Sequence, residues 1–246
     1  MATRLLRYAV SCPVLFRNFT HTPSQFSRRE HLKGSADLTT SVRSQSDYFF
    51  SYTKQVHAIT LLILERLSSE LGLTGSSRFE SDHEDSKPSL STLVLLHYPK
   101  HDEATASTNV GHLKHTDVSS LTVVLTQQWG LQIMSPETGR WEFLEPRPKH
   151  AIVNVGDFLR FLSGRKLASI VHRVIPLQER QGEDRYSIAY FLRMNDDAEF
   201  TDLNGQTWTT KEWHDFKFDV FKSPKKMDTK AQFLTAMMEE CQKIAA

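Results

Sequence analysis

The chain has 246 residues, enough for one large domain or two small ones, and its fifteen Phe, six Tyr and four Trp can fill a substantial core. A formal charge of +1 with both signs interspersed argues against a nucleic-acid partner, which would demand a basic excess. Two cysteines near opposite ends, Cys12 and Cys241, make no disulfide framework, and no apolar run reaches the length of a bilayer span. The expectation is a soluble intracellular protein with no membrane partner.

The N-terminal stretch carries five arginines and no acidic residue before Glu30, the composition of a mitochondrial transit peptide. The plainer expectation is a poorly ordered arm over residues 1–44 of a cytoplasmic protein, with a mitochondrial location as the alternative. From Asp47 to Leu71 the residues Val56, Ile59, Ile63, Leu67 and Leu71 recur at three- and four-residue spacing, which predicts one long helix stopped by Gly72. The polar segment SSRFESDHEDSKPS reads as a loop, its acidic residues Asp82, Glu84 and Asp85 as solvated. After Leu93 the texture changes to short β-type runs over 93–98, 121–125, 131–134, 141–144, 151–155, 169–175 and 186–192. Turn signals such as SPETGR, NVGD and RQGED fill the gaps. Strands at this spacing predict an antiparallel sandwich or barrel. The tail returns to helix over AQFLTAMMEECQKI, while KEWHDFKFDVF is ambiguous.

In GHLKHTDVSS, His115 and Asp117 stand two residues apart just before the apolar run LTVVL, so an extended chain would aim both to one side. Such a pair can be a surface salt bridge, a proton-transfer pair or two legs of a metal site. His172, in SIVHRVI, would by itself be a buried, hydrogen-bonded core histidine. Together the three offer two imidazoles and one carboxylate, the donor set that holds non-haem iron(II) on one face and leaves other positions open. In RYS, Arg185 and Ser187 again share one strand face; a guanidinium matches a carboxylate with two parallel hydrogen bonds, and the hydroxyl adds a third donor. A surface charge pairing with Glu183 or Asp184 is the plainer reading of Arg185.

The ordered run LLHYP, HTD, WGLQI, a Trp-containing strand, AIVNVGD, LASIVHRV and RYSIAYF, covering roughly residues 45–225, resembles the isopenicillin N synthase-like branch of the 2-oxoglutarate and Fe(II)-dependent oxygenases. The resemblance implies a mainly β fold with flanking helices, a double-stranded β-helix or jelly roll with the long helix packed on one sheet, over a catalytic domain of residues 45–246. It implies Fe(II) on His115, Asp117 and His172, and 2-oxoglutarate held by Arg185, Ser187 and Tyr98, with dioxygen as second co-substrate and no catalytic side chain beyond the metal centre. The reaction implied is hydroxylation, desaturation or cyclisation of a small organic substrate in specialised metabolism, by a monomer. Two alternatives are an oxidase that does not use 2-oxoglutarate and a shortened, catalytically silent jelly-roll binding protein. Leu96 stands where relatives often carry Asn. The family's N-terminal region is usually longer; no opening strand is legible before the long helix, and the lid and part of the substrate wall are expected to be missing. His97 and His112 read as structural, Gly130 and Gly156 as turn glycines, Asp157 as bonding its own turn, and Phe161 and Phe191 as pocket lining or core.

Overall fold

Strict alternation along the strands sorts the side chains of the main sheet into two faces with different tasks. The computed structural model describes residues 24–27, 43–99, 112–175 and 183–238. Its first sheet is built from β1 (Ser24–Ser27), β2 (Thr92–Tyr98), β4 (Leu121–Thr126), β7 (Ile152–Val155) and β9 (Arg185–Leu192), in the order β1-β2-β9-β4-β7. The second contains β3 (His112–His115), β5 (Leu131–Met134), β6 (Trp141–Phe143) and β8 (His172–Val174), in the order β3-β8-β5-β6. Every pairing in both is antiparallel. Apart from β1 with β2 and β5 with β6, consecutive strands up to β9 sit in different sheets, as the expected jelly roll requires.

On β2, β4 and β9 the residues Leu93, Leu95, Leu121, Val123, Ile188, Tyr190 and Leu192 are buried together with Phe49, Val56, Ile63 and Leu64 of the helix α1 (Ser46–Glu70). Each such side chain contributes about 1.5–3 kcal/mol on burial, enough to hold α1 against the sheet without strong capping. The alternate positions, among them Tyr98, Thr122, Asn154, Arg185 and Ser187, therefore face the other way, toward the second sheet.

The predicted strands form, but 169–175 contracts to β8, and β3 is added, ending on the His of HTD. Part of the stretch read as an N-terminal arm, Ser24–Ser27, pairs as an edge strand with β2 in the register Ser24↔Leu95 to Ser27↔Thr92. Four residues carry too little alternation to be read as a strand, and the sheet edge supplies the hydrogen bonds that define it. Residues 1–23 and 28–42 of that arm, and Cys241, lie outside the described residues, as does the side chain of His112. No helix among the described residues is long and apolar enough to cross a membrane.

NVGD is a strand end that opens the helix α2 (Asp157–Leu162). After the β10–β11 hairpin (Glu199–Thr201, Thr207–Thr209), the ambiguous KEWHDFKFDVF is helix α3 (Thr210–Lys222). A capping box starts it: Thr209 Oγ1 accepts from Glu212 N–H at 3.2 Å, and the Glu212 carboxylate accepts from Thr209 N–H at 2.9 Å. The last helix, α4 (Pro224–Leu234), begins earlier than expected because Ser223 caps it and Pro224 occupies its first turn. Phe161 turns out to be core: it stacks on Phe200 at 5.1 Å and meets Trp213 edge-on at 5.5 Å, in a second cluster with Phe158 and Met194. Phe191 lies under the Arg193 guanidinium, 5.2 Å from it.

The acidic loop is more engaged than its composition implies. Asp85 bonds His57 Nε2 at 2.9 Å and Glu84 pairs with Lys87 at 2.6 Å. Within the same loop the buried His83 reaches Phe79 O through Nδ1 and Ser120 Oγ through Nε2, both at 2.8 Å. Burial, with the neighbouring His57, drives its imidazole down from 6.5 to about 4. The unfolded chain thus binds this proton more readily than the fold does. The stability from a neutral His83 is present above pH 6.5 and is lost as the pH falls toward about 4. Urea unfolding at pH 7.5 and pH 5 should show His83→Gln reducing the pH-dependent loss by about 2 kcal/mol; equal losses in both proteins would mean that His83 titrates normally.

Candidate metal centre and its anion pocket

His115 closes β3 and His172 opens β8, and the two are cross-strand partners, so their rings lie side by side with centroids 4.3 Å apart. Asp117 follows in the turn that leaves β3. Its Oδ1 lies 3.6 Å from His115 Nε2 and 3.4 Å from His172 Nε2. One ligand atom from each residue falls within 4.8 Å of the others, the only such cluster of His, Cys, Asp and Glu among the described residues. The alternative of a surface salt bridge is excluded, because all three side chains are largely buried.

The imidazoles are turned by the backbone. His115 Nδ1–H donates to Leu113 O at 2.7 Å, and His172 Nδ1–H donates to Ile170 O at 3.0 Å. A carbonyl can only accept, so each ring keeps a proton on Nδ1, and Nε2 is the nitrogen turned to the cluster. Burial opposes charge on Asp117, but His172 and His115 outweigh it and hold the carboxyl well below the usual range. Burial also opposes charge on His172, yet Asp117 raises it, whereas His115 is lowered by burial and by His172. A divalent cation would answer the charge of Asp117 and take both lone pairs, so the donors fit such an ion.

Asn154 on β7 donates from Nδ2 to Asp117 Oδ2 at 2.8 Å, leaving Oδ1 toward the imidazoles. Sequence reasoning passed over this residue. Its signal is an amide in an otherwise apolar strand, AIVNV, at the position that alternation turns inward. Asp157, expected to bond its own turn, instead forms a fully buried ion pair with Lys217 of α3, at 2.6 Å. The short-range turn reading failed because the partner lies sixty residues downstream.

The second set of predicted residues meets on β2 and β9. Tyr98 pairs with Arg185 in register, and Leu96 with Ser187. Arg185 is only 2% exposed; its Nε–H donates to Trp129 O at 3.0 Å, its guanidinium lies 5.0 Å from the Tyr98 ring centroid, and Nη1 stands 3.5 Å from Ser187 Oγ. Burial pushes the guanidinium down and the Tyr98 hydroxyl up, each countered in part by the other. The pairing of Arg185 with Glu183 or Asp184 does not occur: Asp184 takes His97 Nε2 at 2.8 Å and Glu183 takes Gln128. His97 points away from Tyr98, as expected, and stacks on Tyr186 at 4.7 Å. Gly130 makes room for the guanidinium. Its φ is +126°, and an added Cβ would sit 3.1 Å from Arg185 Cδ and from Ile175 O. Gly156 answers a different crowding: an added Cβ would fall 2.1 Å from Ser119 O.

A jelly roll with two imidazoles and a carboxylate at one strand end, and a buried guanidinium on the facing sheet, offers a candidate mononuclear metal centre and a candidate anion-binding group. Comparisons with known proteins point to the same class. The model of the 2OG-Fe(II) oxygenase superfamily matches residues 89–194. The chain is 47% identical to the 2-oxoglutarate-dependent dioxygenase iboH of Amanita muscaria, over 81% of this chain and 97% of that one. It is 44% identical to the oxidoreductase vrtI of Penicillium aethiopicum, over 88% of this chain and 52% of vrtI. It is 46% identical to the 2-oxoglutarate-dependent dioxygenase gloE of Glarea lozoyensis, over 87% of this chain and 63% of gloE. Among solved structures, a full-length Neurospora crassa protein in complex with alpha-KG shares the fold, with a TM-score of 0.64 at 22% identity over 81% of this chain and 64% of that one. The chain belongs to the 2-oxoglutarate and Fe(II)-dependent oxygenase superfamily. It spans nearly all of iboH but about half to two thirds of vrtI and gloE.

Removing the Asn154 amide leaves a buried carboxylate oxygen without its donor and lets Asp117 rotate. Asn154→Ala is expected to weaken Fe(II) binding by about 10- to 100-fold while the far-UV circular dichroism is kept; unchanged affinity would mean that Asp117 is oriented without it.

Proposed function

We propose that this chain is an Fe(II)- and 2-oxoglutarate-dependent oxygenase that oxidises a small organic molecule by hydroxylation, desaturation or cyclisation, in specialised metabolism. The observation that carries the reading is the pairing of two features: three ligand atoms within 4.8 Å of one another, and a buried arginine that has no carboxylate partner among the described residues. An unneutralised guanidinium out of water is costly, and an incoming carboxylate offsets that cost with two parallel hydrogen bonds.

On this reading His115, Asp117 and His172 hold Fe(II), which, once bound, supplies the activation of dioxygen coupled to decarboxylation of the keto acid. The protein's own residues do the rest. Arg185 and Ser187 take the distal carboxylate of 2-oxoglutarate, and the Tyr98 hydroxyl is the third donor on that face. Leu96, opposite Ser187, offers no polar contact of the kind an Asn would add. The Leu113 and Ile170 carbonyls keep both imidazoles in the ligating tautomer. Phe221 of α3, edge-on to His115 with centroids 5.7 Å apart, keeps water from that side of the ring. Balanced surface charge supports a small-molecule substrate rather than nucleic acid, and a monomer acting in the cytoplasm is part of the proposal. The relatives named as 2-oxoglutarate-dependent dioxygenases support the co-substrate.

An anaerobic absorbance titration with Fe(II) and then 2-oxoglutarate tests it. A weak visible charge-transfer band that saturates with the keto acid is the expected result. Iron binding without a band would favour an oxidase that does not use 2-oxoglutarate, and binding of neither a silent jelly roll. Asp117→Ala should abolish tight Fe(II) binding with the fold retained. Arg185→Ala should keep iron binding but raise the 2-oxoglutarate concentration for half-saturation by about 30-fold or more; an unchanged requirement would remove Arg185 from the site.

A further inference from the structure

The turn that carries Asp117 is held by a charge that belongs to the C-terminal helix. Lys217 of α3 is completely buried, and its ammonium makes three hydrogen bonds: to Thr116 O at 2.8 Å, to Thr116 Oγ1 at 2.9 Å and to Asp157 Oδ2 at 2.6 Å. Thr116 is the residue between the two ligands His115 and Asp117. Asp157 closes the loop from the other side, since its own N–H donates to Asp117 O at 2.9 Å. Trp213, one turn earlier on α3, donates from Nε1 to the same Asp157 oxygen at 3.1 Å. Thr116 N–H, in turn, donates to Leu234 O at the end of α4, 2.9 Å away.

We infer that Lys217, paired with Asp157, is a positioning residue for the metal centre: it fixes the Thr116 peptide and so sets the direction in which Asp117 leaves β3. The inference rests on reading the His–Asp–His cluster as the metal site. Three facts argue against simple packing. A buried ion pair adds little net stability over apolar side chains of similar volume, so what this one supplies is direction. The pair is also imperfect as a stabilising device, because Asp157 Oδ1 has no hydrogen-bond partner among the described residues. Finally, the peptide after Thr116 lies outside regular secondary structure, so no strand ladder holds it. A ring or aliphatic chain in place of Lys217 would fill the space and leave the Thr116 carbonyl free to turn. Neutralisation by Asp157 matters as well, because a lone buried cation behind the ligands would compete with the metal for Asp117.

The test compares Lys217→Met with the wild type in two measurements on the full chain. Hydrogen exchange of metal-free protein reads the turn directly: the amides of residues 116–120 should exchange at least 10-fold faster in the variant, while those of β2 and β9 stay unchanged. Anaerobic Fe(II) titration, with Co(II) absorption as a second probe of ligand geometry, should show at least 10-fold weaker binding. Lys217→Arg, which keeps the cation and its donors, should recover most of both. Val56→Ala in the distant α1 core serves as a control for lost stability alone, and a matching loss of metal affinity in that control would overturn the inference. So would wild-type exchange in the turn, or wild-type metal binding by Lys217→Met. If the wild type itself binds no Fe(II), the metal reading fails, and the exchange measurement still decides whether Lys217 clamps the turn. If Lys217→Met does not fold, the near-isosteric Thr116→Val removes one of the three acceptors and should speed exchange about 3-fold; no change in it would count against the clamp.

Discussion

The segment His115–Ser120 has almost no regular hydrogen bonding of its own, and nearly every peptide in it is tied to a different part of the molecule. Thr116 is held by Leu234 and Lys217, Asp117 O by Asp157 N–H, Val118 O by Arg193 Nε at 2.7 Å, and Ser119 O by Phe158 N–H. Ser120 receives Gly156 N–H and donates to Leu192 O at 2.7 Å. Two carboxylate–imidazole contacts therefore depend on elements that span the chain from the start of α2 to the end of α4. A metal site needs donor atoms placed to a few tenths of an ångström, and a free turn could not supply that precision.

Lys217 and Arg193 grip this turn directly, Arg185 lies at the other end of β9, and each of the three buried cations is satisfied differently. Lys217 has a carboxylate. Arg193 is taken up by the carbonyls of Val118 and Leu90 and by the face of Phe191, and burial drives its guanidinium down to about 10. Arg185 uses Nε on Trp129 O and rests against Tyr98, while Nη1 stands 3.5 Å from Ser187 Oγ. Of the three, Arg185 is the one whose strand face carries a hydroxyl and a phenol. The low dielectric that makes such a group expensive also makes it selective for an anion.

The two faces of β2, β4, β7 and β9 explain how one sheet serves both stability and chemistry. Leucine, isoleucine and valine at one parity pack under α1, and the opposite parity is released to carry Tyr98, Asn154, Arg185 and Ser187. A shift of one residue in the register of β9 would bury the arginine under the helix and turn Ile188 and Tyr190 into the site. The hydrophobic core thus acts as the device that holds register, and the position of the proposed anion pocket is a consequence.

Sequence alone determined the strand count in outline, the long amphipathic helix, and the candidate ligands His115, Asp117, His172, Arg185 and Ser187. Their signals are local: two-residue spacing on a strand, a histidine among β-branched residues, a helical repeat of apolar positions. It also held, unread, the capping box that starts α3. What only the tertiary structure decided is which distant groups complete each local one. Asn154 becomes the donor to Asp117, Gly130 the floor under Arg185, and Asp157 and Lys217 a pair reaching across sixty residues. No periodicity marks such partners, because a buried polar group is satisfied by whatever donor the packing brings within about 3 Å, and packing is a property of the whole chain.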